Sequence, residues 1–191
     1  MKKYFFTIAS ILVLVFGISS CSNEETKTQN QIAARPEVPL QNGEVRIGNQ
    51  IWMTKNLNVS RYRNGDPIPQ VQNATAWTVL TTGAWCYYAN GPVYGKLYNW
   101  YAVNDPRGLA PSGYHIATDA EWTILTTFLG GASVAGGKMK ATGTSDWRSP
   151  NVGATNISGF TGLPGGRRDS NGSFNFGWSS GCWWTSTATG P

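Results

Sequence analysis

The stretch Thr118-Asp-Ala-Glu-Trp-Thr-Ile-Leu-Thr-Thr-Phe-Leu-Gly-Gly131 carries the strongest secondary-structure signal in this chain of 191 residues. Thr118 and Glu121 have the spacing of a capping box, in which two side chains bind the free amide groups at a helix start. Asp119 adds a negative charge that favours a first turn. Apolar residues then recur at helical spacing until the glycines: Trp122, Leu125, Phe128 and Leu129. We therefore predict one clear helix near 119–129.

A β-hairpin is predicted at 45–53, well before this helix. The segments Val45-Arg-Ile47 and Gln50-Ile-Trp-Met53 alternate in polarity, as half-buried strands do. Gly48-Asn49 lies between them, and both residue types tolerate the positive φ of a two-residue turn.

Further aromatic segments predict short elements. A short helix is expected at 74–80 around Trp77, and a strand at 84–88. The segment 97–103 is consistent with a strand or with a helix, and a last strand is expected at 182–186. The chain has 23 Gly and 9 Trp, so long Gly- and Trp-rich loops are expected to join these elements. The sequence thus predicts an α+β fold with small antiparallel sheets.

The first 21 residues have the pattern of a bacterial lipoprotein export signal. Met1-Lys-Lys3 is positively charged, Tyr4 to Ile18 is an almost uninterrupted apolar run, and Ile18-Ser-Ser-Cys21 resembles a lipobox. An apolar run of this length suits a cleaved signal better than a membrane span, which needs about 20 residues. We predict a signal peptide at 1–20 and a lipid on Cys21. The alternative is an ordinary signal peptide followed by an incidental cysteine.

A polar segment then leads to the domain. Residues 21–44 contain no aromatic residue, so they cannot bury enough apolar area to fold, and they predict a flexible tether. The pair Glu24-Glu25 resembles the acidic signals that direct some lipoproteins to the outer face of the outer membrane. The expected location is therefore the cell envelope, lipid-anchored at the outer membrane and exposed on the surface, with residues 45–191 as the domain.

The charge of the chain gives little indication of a partner. The net charge is +5 at pH 7, and removal of Lys2 and Lys3 with the signal would leave 13 basic against 10 acidic residues. The basic side chains are scattered and form no stripe, so no nucleic-acid partner is expected. No Gly-x-Gly-x-x-G or Walker pattern follows a strand, so no cofactor is expected.

Cys86 and Cys182 remain once Cys21 is assigned to a lipid. A disulfide between them is possible in an oxidising compartment, although sequence alone does not establish their distance. With His115, the single histidine, they are too few for a zinc site, and no metal is expected. His115 lies in a hydrophobic stretch, so we expect it to be packed rather than catalytic.

Several blocks of sequence follow one another along residues 45–186: Val45-Arg-Ile-Gly-Asn-Gln-Ile-Trp-Met-Thr-Lys-Asn-Leu57, Tyr94-Gly-Lys-Leu-Tyr-Asn-Trp-Tyr-Ala102, Pro111-Ser-Gly-Tyr-His115 with Thr118-Asp-Ala-Glu-Trp122, Gly159-Phe-Thr-Gly-Leu-Pro-Gly-Gly-Arg167 and Trp183-Trp-Thr-Ser186. In this order they resemble the Fibrobacter succinogenes major paralogous domain family. The resemblance implies an exported protein or lipoprotein of the kind found in Bacteroidetes and Fibrobacteres. It names no reaction.

The segment from Gly113 to Trp122 also resembles a block of the formylglycine-generating enzyme and C-type lectin-like fold. This resemblance implies an α+β domain with long loops on a small antiparallel scaffold, and as an analogy of fold it assigns no chemistry. Members of the family usually continue beyond the Trp183-Trp-Thr-Ser186 block with a final strand that carries a cysteine. The domain is therefore expected to be truncated at its C-terminus, with the normal partner of Cys86 missing.

No catalytic residue is predicted. Asp119 and Glu121 lie close together, but residues two apart on a helix point to different faces, and the capping box already accounts for both. No Gly-x-Ser-x-Gly elbow precedes a helix, and one histidine limits any serine–histidine scheme to a single unsupported base. The chain is therefore interpreted as a protein without enzyme activity.

Aromatic content is the remaining functional signal, with 9 Trp, 8 Tyr and 7 Phe. Exposed aromatic faces can stack on the apolar faces of sugar rings, whereas rings on predicted elements are expected to form the core. Trp147 and Trp178 lie in predicted loops and are the candidate ligand-binding residues. Four other tryptophans are assigned to the core: Trp52, Trp100, Trp122 and Trp183.

The leading hypothesis is a surface-anchored lipoprotein that acts as a binding or adhesion module for polysaccharide or for a cell-surface protein. The first alternative is an enzyme related to formylglycine-generating proteins, in which Cys86 or Cys182 would be a reactive thiolate. The second alternative is a structural envelope component or a truncated copy without independent activity.

Overall fold

The computed structural model describes residues 38–89 and 91–188. The chain divides into two units, Met1–Val38 and Pro39–Pro191, and every described residue except Val38 belongs to the second unit. The predicted signal peptide at 1–20, the predicted lipid site at Cys21 and the predicted tether up to residue 37 lie outside the described residues. Within the described part of the chain, no helix combines the length and the apolar character needed to cross a membrane.

Short elements joined by long loops make up the regular structure. In chain order they are β1 (Glu44–Ile47), β2 (Gln50–Met53), α1 (Ala74–Thr78), β3 (Trp85–Tyr88), β4 (Gly91–Tyr98), α2 (Trp100–Val103), α3 (Asp119–Phe128), α4 (Ala132–Met139), β5 (Arg167–Arg168) and β6 (Phe174–Asn175). The strands pair as two-stranded antiparallel sheets, β1 with β2, β3 with β4 and β5 with β6. This mixture confirms the predicted α+β class with small antiparallel sheets.

The first hairpin, formed by β1 and β2, lies where the sequence predicts it. Ile47 pairs with Gln50, which leaves Gly48 and Asn49 as a two-residue turn. Gly48 has a φ of 57°, the left-handed conformation that such a turn requires. Strand β1 begins at Glu44, one residue before the predicted start of the domain.

Helix α3 confirms the strongest prediction, because both halves of the capping box are present. The Thr118 hydroxyl accepts a hydrogen bond from the Glu121 backbone N–H at 3.2 Å, and the Glu121 carboxylate accepts one from the Thr118 N–H at 2.8 Å. Gly130 and Gly131 have φ values of 98° and 99°, so the helix ends before them.

Helix α4 follows at once and lies outside the sequence predictions, because Gly136 and Gly137 lower helix propensity. The reason for a glycine at position 137 is spatial. A Cβ there would lie 2.4 Å from the carbonyl oxygen of Gly153, and the N–H of Thr155 donates to the Gly137 carbonyl at 2.9 Å. Close packing against this loop therefore selects glycine where propensity disfavours it.

The segment 97–103 contains both of the alternatives predicted for it. Strand β4 ends at Tyr98, and helix α2 starts at Trp100. Asn99 between them caps the helix, because its side-chain oxygen accepts a hydrogen bond from the N–H of Ala102 at 3.0 Å. The strand and the helix are thus separated by one capping residue.

Two other predicted elements are confirmed and one is wrong. The predicted helix at 74–80 corresponds to α1, and the predicted strand at 84–88 corresponds to β3. The prediction of a strand at 182–186 is wrong, because that segment forms no strand. A side chain holds the segment instead of a strand ladder: the indole N–H of Trp184 donates to the Tyr98 carbonyl at 2.8 Å.

Buried side chains of the described residues form three clusters. The first lies around β3, β4 and α2, the second joins the first hairpin to α3 and α4, and the third packs under α1. Their buried members are Tyr62, Ile68, Trp85, Tyr98, Ala102, Val103 and Leu109 in the first cluster, Ile47, Leu125, Leu129, Ala135, Met139 and Phe160 in the second, and Trp77, Ala84 and Cys86 in the third.

A candidate binding cleft at Trp178

The two tryptophans predicted to bind ligand meet at one cavity, which we name the Trp178 cleft. Trp147 and Trp178 both line this cavity of about 310 Å³, together with polar residues of a single loop: Thr144, Ser145, Asp146, Arg148 and Ser149. The two segments are distant in sequence. They are joined because the backbone N–H of Arg148 donates to the carbonyl of Trp178 at 2.8 Å.

Trp178 presents part of its surface to solvent and is fixed at several points. It is 39% exposed. Its backbone N–H donates to the Pro164 carbonyl at 3.0 Å, and its ring packs edge-on against Tyr88, with 6.2 Å between the ring centroids. A ligand can stack on a ring held in this way without first ordering the side chain, which lowers the entropic cost of binding.

The loop around Trp178 holds backbone strain. Phe176 and Trp178 have φ values of 64° and 59°, and this left-handed conformation costs a residue with a side chain about 1–3 kcal/mol. Gly177 between them leaves room for Tyr88, because a Cβ at Gly177 would lie 2.5 Å from the Tyr88 ring. The Gly177 N–H also donates to the Tyr88 hydroxyl at 3.1 Å. Strain of this kind is concentrated at binding and catalytic sites, so it marks this loop as a candidate.

Trp147 forms part of the cleft wall and is almost completely buried, with 5% of its surface exposed. Its indole N–H donates to the Gly162 carbonyl at 3.1 Å, and the Lys140 ammonium nitrogen lies 4.9 Å from the ring centroid. The expectation that a loop position leaves this ring open to a ligand is therefore wrong. Trp147 supports the wall, and Trp178 supplies the exposed aromatic surface.

Polar side chains of the cleft supply both hydrogen-bond donors and acceptors. The Asp146 carboxylate accepts a hydrogen bond from the Ser145 hydroxyl at 3.2 Å. The Tyr94 hydroxyl donates to the Asp146 backbone carbonyl at 3.1 Å, and burial, with the nearby Asp146 carboxylate, raises the pKa of Tyr94, so that this donor keeps its proton. The exposed guanidinium of Arg148 makes no hydrogen bond or ion pair in the described part of the chain.

A second exposed aromatic surface lies at Trp183 and Trp184, which are 39% and 45% exposed. The assignment of Trp183 to the core is therefore wrong, and three other rings assigned to the core are only partly buried: Trp52, Trp100 and Trp122. The indole N–H of Trp183 donates to the Asn56 side chain at 3.1 Å, and that of Trp184 is bound to Tyr98. Both indole N–H groups are already hydrogen-bonded. This surface can therefore present the faces of its rings to a ligand, but not these two donors. The adjacent tryptophans were a signal for it that the sequence analysis missed.

A second cavity of about 310 Å³ lies between the first hairpin and the helix pair α3 and α4. Phe128 and Ile157 line it and are 64% and 77% exposed. The ammonium group of Lys138 is already bound to the Leu129 carbonyl at 2.8 Å, and Arg46, the other cation in the lining, also has a partner. This cavity offers apolar surface without an available charge, so it defines a ligand less sharply than the Trp178 cleft does.

The disulfide that the sequence left possible between Cys86 and Cys182 is not formed in the structure, where both cysteines are free. Cys86 is buried near Arg168, and Cys182 is exposed near Arg167. Loss of water around the sulfur raises the pKa of both thiols, even though Cys182 as a residue is exposed, and this favours the protonated form at neutral pH.

His115 is exposed and is not packed as the sequence suggested, since 66% of its side chain is accessible. Its Nε2 lies 2.8 Å from Oε1 of Glu121. Burial opposes the ionisation of Glu121, but hydrogen bonds from Thr118 and His115 outweigh it and lower the pKa of Glu121. The carboxylate is therefore occupied in capping α3. In residues 38–89 and 91–188, no group of three His, Cys, Asp or Glu side chains is arranged to hold a metal ion.

Comparison with known families identifies the region to which these features belong. A family model described as the Fibrobacter succinogenes major domain matches residues 45–191, most of the chain. No curated protein and no solved structure matches the chain. The matched region includes the Trp178 cleft and every described element apart from Glu44, the first residue of β1.

Proposed function

The chain belongs to the Fibrobacter succinogenes major domain family, and from this premise we propose that its domain is a glycan-binding module of a surface-anchored lipoprotein. One observation carries the proposal. Trp178 is a large, partly exposed ring that a strained backbone holds at a cleft with available polar groups. Holding a tryptophan in this conformation costs stability, and ligand binding is the function that best accounts for that cost.

A sugar ring suits the chemistry of the Trp178 cleft. One face of a pyranose carries mainly C–H groups, which can stack on the indole of Trp178. Sugar hydroxyls can donate to the Asp146 carboxylate and accept from the Arg148 guanidinium. The cleft volume of about 310 Å³ lies at the lower end of the range for ligand pockets, roughly 300–1,000 Å³. It therefore suits one or two rings of a longer polysaccharide.

The proposed module is held at the outer membrane by a lipid on Cys21 and is exposed on the cell surface. The support for this location is the sequence, in which Ile18-Ser-Ser-Cys21 has the lipobox pattern and Glu24-Glu25 follows it closely. The polar composition of 21–44 suits a flexible tether that lets the domain reach polysaccharide or a cell-surface protein.

A C-type lectin-like fold is part of the same proposal. Two-stranded antiparallel sheets, a capped helix and long loops are compatible with it. An experimental structure, compared strand by strand with C-type lectin-like domains, tests this point. A different order of strands around α3 would exclude that fold.

An enzyme related to formylglycine-generating proteins is the competing proposal, and the chemistry of the cysteines argues against it. Thiol catalysis uses the thiolate, and therefore a thiol with a lowered pKa. Burial raises the pKa of Cys86 and of Cys182, and Cys86 is also 0% exposed. A binding function therefore agrees better with the two thiols than a catalytic one.

The test is binding of the full chain to a panel of polysaccharides, beside the variants Trp178→Ala and Trp184→Ala. Trp184 is a matched control because it is an exposed tryptophan that does not line the Trp178 cleft. We expect saturable binding to at least one polysaccharide, about tenfold weaker in Trp178→Ala, the size of a lost stacking contact, and nearly unchanged in Trp184→Ala. Thermal unfolding of each variant verifies that it is folded.

Two results would overturn the proposal. The first is a folded wild-type chain that binds no member of the panel. The second is equal weakening by the two substitutions, because a specific cleft cannot depend equally on a tryptophan inside it and on one outside it.

A further inference from the structure

Arg148 differs from nearly all other cations of the described residues because its side chain has no partner. Most of the others donate to carbonyl groups, hydroxyls or carboxylates: Arg61, Arg63, Lys96, Arg107, Lys138, Lys140, Arg167 and Arg168. Arg46 also has a partner. Within the described ranges this leaves Lys55 and Arg148, and only Arg148 lines the Trp178 cleft.

An available guanidinium in a cleft indicates the kind of group that binds beside it. Arginine presents five N–H donors in a planar fork, and a ligand that displaces their water must replace those hydrogen bonds. A carboxylate does so with two parallel N–H···O bonds, the geometry that the fork matches best. A sugar hydroxyl replaces only one of them and carries no charge.

The other charges around the cleft also favour an anion. The ammonium nitrogen of Lys140 lies 4.9 Å from the ring centroid of Trp147 in the cleft wall. Lys140 is held there by the Val152 carbonyl at 2.9 Å, so it contributes its charge rather than a direct contact. With Arg148, it sets two positive charges against the one carboxylate in the lining, that of Asp146.

We propose that the Trp178 cleft binds a uronate, the carboxylated sugar of an acidic polysaccharide, with the sugar ring stacked on Trp178 and its carboxylate paired with Arg148. This inference rests on the proposed glycan-binding function and narrows it to one class of glycan. Trp178 supplies contact area to any sugar, whereas Arg148 distinguishes acidic from neutral sugars.

The experiment compares two polymers that share a sugar ring. The full chain is titrated with polygalacturonate and with the same polymer after its carboxylates are reduced to alcohols. The variants are Arg148→Gln and Lys55→Gln, which remove the same charge from the cleft and from elsewhere on the surface. The backbone bond from Arg148 to Trp178 is retained in Arg148→Gln, because it uses no side-chain atom.

The wild-type chain is expected to bind polygalacturonate about tenfold more tightly than the reduced polymer, the effect of one charge-assisted pair. Arg148→Gln should remove this preference, because it should weaken binding of polygalacturonate more than binding of the reduced polymer. Lys55→Gln should keep the preference.

Several outcomes would overturn the uronate inference and leave glycan binding intact. One is equal affinity of the wild-type chain for the two polymers. Another is an equal loss of affinity for polygalacturonate in Arg148→Gln and Lys55→Gln. A third is a chain that binds another polysaccharide but neither of these polymers. Arg148-dependent binding of dextran sulfate as tight as that of polygalacturonate would also overturn it, because any anion would then suffice. A folded chain that binds no polysaccharide at all overturns the glycan-binding proposal itself.

Discussion

The backbone N–H of Arg148 donates to the carbonyl of Trp178 at 2.8 Å, so the residue that offers a charge is fastened to the residue that offers a ring. The bond joins main-chain atoms only. Trp178 is also bound through its own N–H to the Pro164 carbonyl at 3.0 Å. The shape of the cleft is therefore expected to survive substitution of either side chain, which allows the chemistry of the site to be tested apart from its stability.

Adjacent glycines of helix α4 are expected to respond in opposite ways to alanine. No atom lies within 4 Å of a Cβ built at Gly136, so Gly136→Ala should stabilise the domain by about 0.5–1 kcal/mol through helix propensity. At Gly137 the added Cβ would lie 2.4 Å from the Gly153 carbonyl oxygen, so Gly137→Ala should cost about 1–3 kcal/mol. Urea unfolding followed by tryptophan fluorescence measures both values. Similar effects of the two substitutions would contradict the packing of α4 against this loop.

The Asp105–Arg107 pair is expected to make stability depend on pH in the acid range. Hydrogen bonds from Arg107 lower the pKa of Asp105 to about 2, from an ordinary value of 3.8. Because the folded state binds this proton less readily than the unfolded state, the stabilisation is complete above about pH 4 and is lost as the pH falls toward about 2. Asp105→Asn should therefore flatten the fall of the unfolding free energy in that window.

The matched control for this measurement is Asp146→Asn. The Asp146 carboxylate accepts a hydrogen bond from Ser145, and no ion pair involves it in the described part of the chain. Asp146→Asn should therefore leave the fall of the unfolding free energy with decreasing pH nearly as steep as in the wild-type chain. A curve for Asp105→Asn that is as steep as that of the control would contradict the assignment.

The two cysteines are expected to differ in labelling. Cys182 is exposed and Cys86 is 0% exposed, so iodoacetamide should modify Cys182 in the folded chain and Cys86 only after unfolding. The raised pKa of Cys182 predicts slow labelling at neutral pH and faster labelling as the pH rises. Mass spectrometry of the digested chain identifies the labelled peptides. A disulfide-linked pair of peptides, or rapid labelling of Cys86 in the folded chain, would contradict the structure.

Cys21 is expected to carry a lipid in cells that export the protein. Metabolic incorporation of an alkynyl fatty acid should label the wild-type chain and fail to label Cys21→Ala. Cys182→Ala is the control, since it removes a cysteine elsewhere and should be labelled as the wild type is. An N-terminal peptide of the mature protein that begins at another residue, or that lacks acyl groups, would exclude the lipoprotein assignment.

Elements whose causes lie within a few residues could be predicted from the sequence. The capping box needs only Thr118 and Glu121, and the first turn needs only Gly48 and Asn49. Helix α4 could not be predicted, because the glycine that weakens its signal is required by the distant Gly153. The local pattern of glycines disfavoured a helix there, whereas tertiary packing against the Gly153 loop required a glycine within a helix, and the helix formed.

The candidate site was predictable in part for the same reason. A loop position correctly indicated that Trp178 is exposed. The loop position of Trp147 was misleading, because this ring is buried and its indole N–H donates to the Gly162 carbonyl, a contact that no local pattern reveals. A disulfide between Cys86 and Cys182 was possible from the sequence because cysteine counting gives no distance, and in the structure both cysteines are free, one buried and one exposed.

The two indole hydrogen bonds of Trp183 and Trp184 join parts of the domain that are distant in sequence. The indole N–H of Trp183 binds Asn56 and that of Trp184 binds Tyr98, so each acceptor is synthesised many residues before its donor. Contacts between such distant positions form slowly, because a long loop must close before they can stabilise anything. We therefore expect both hydrogen bonds to form late in folding, after the long segments between donor and acceptor have closed.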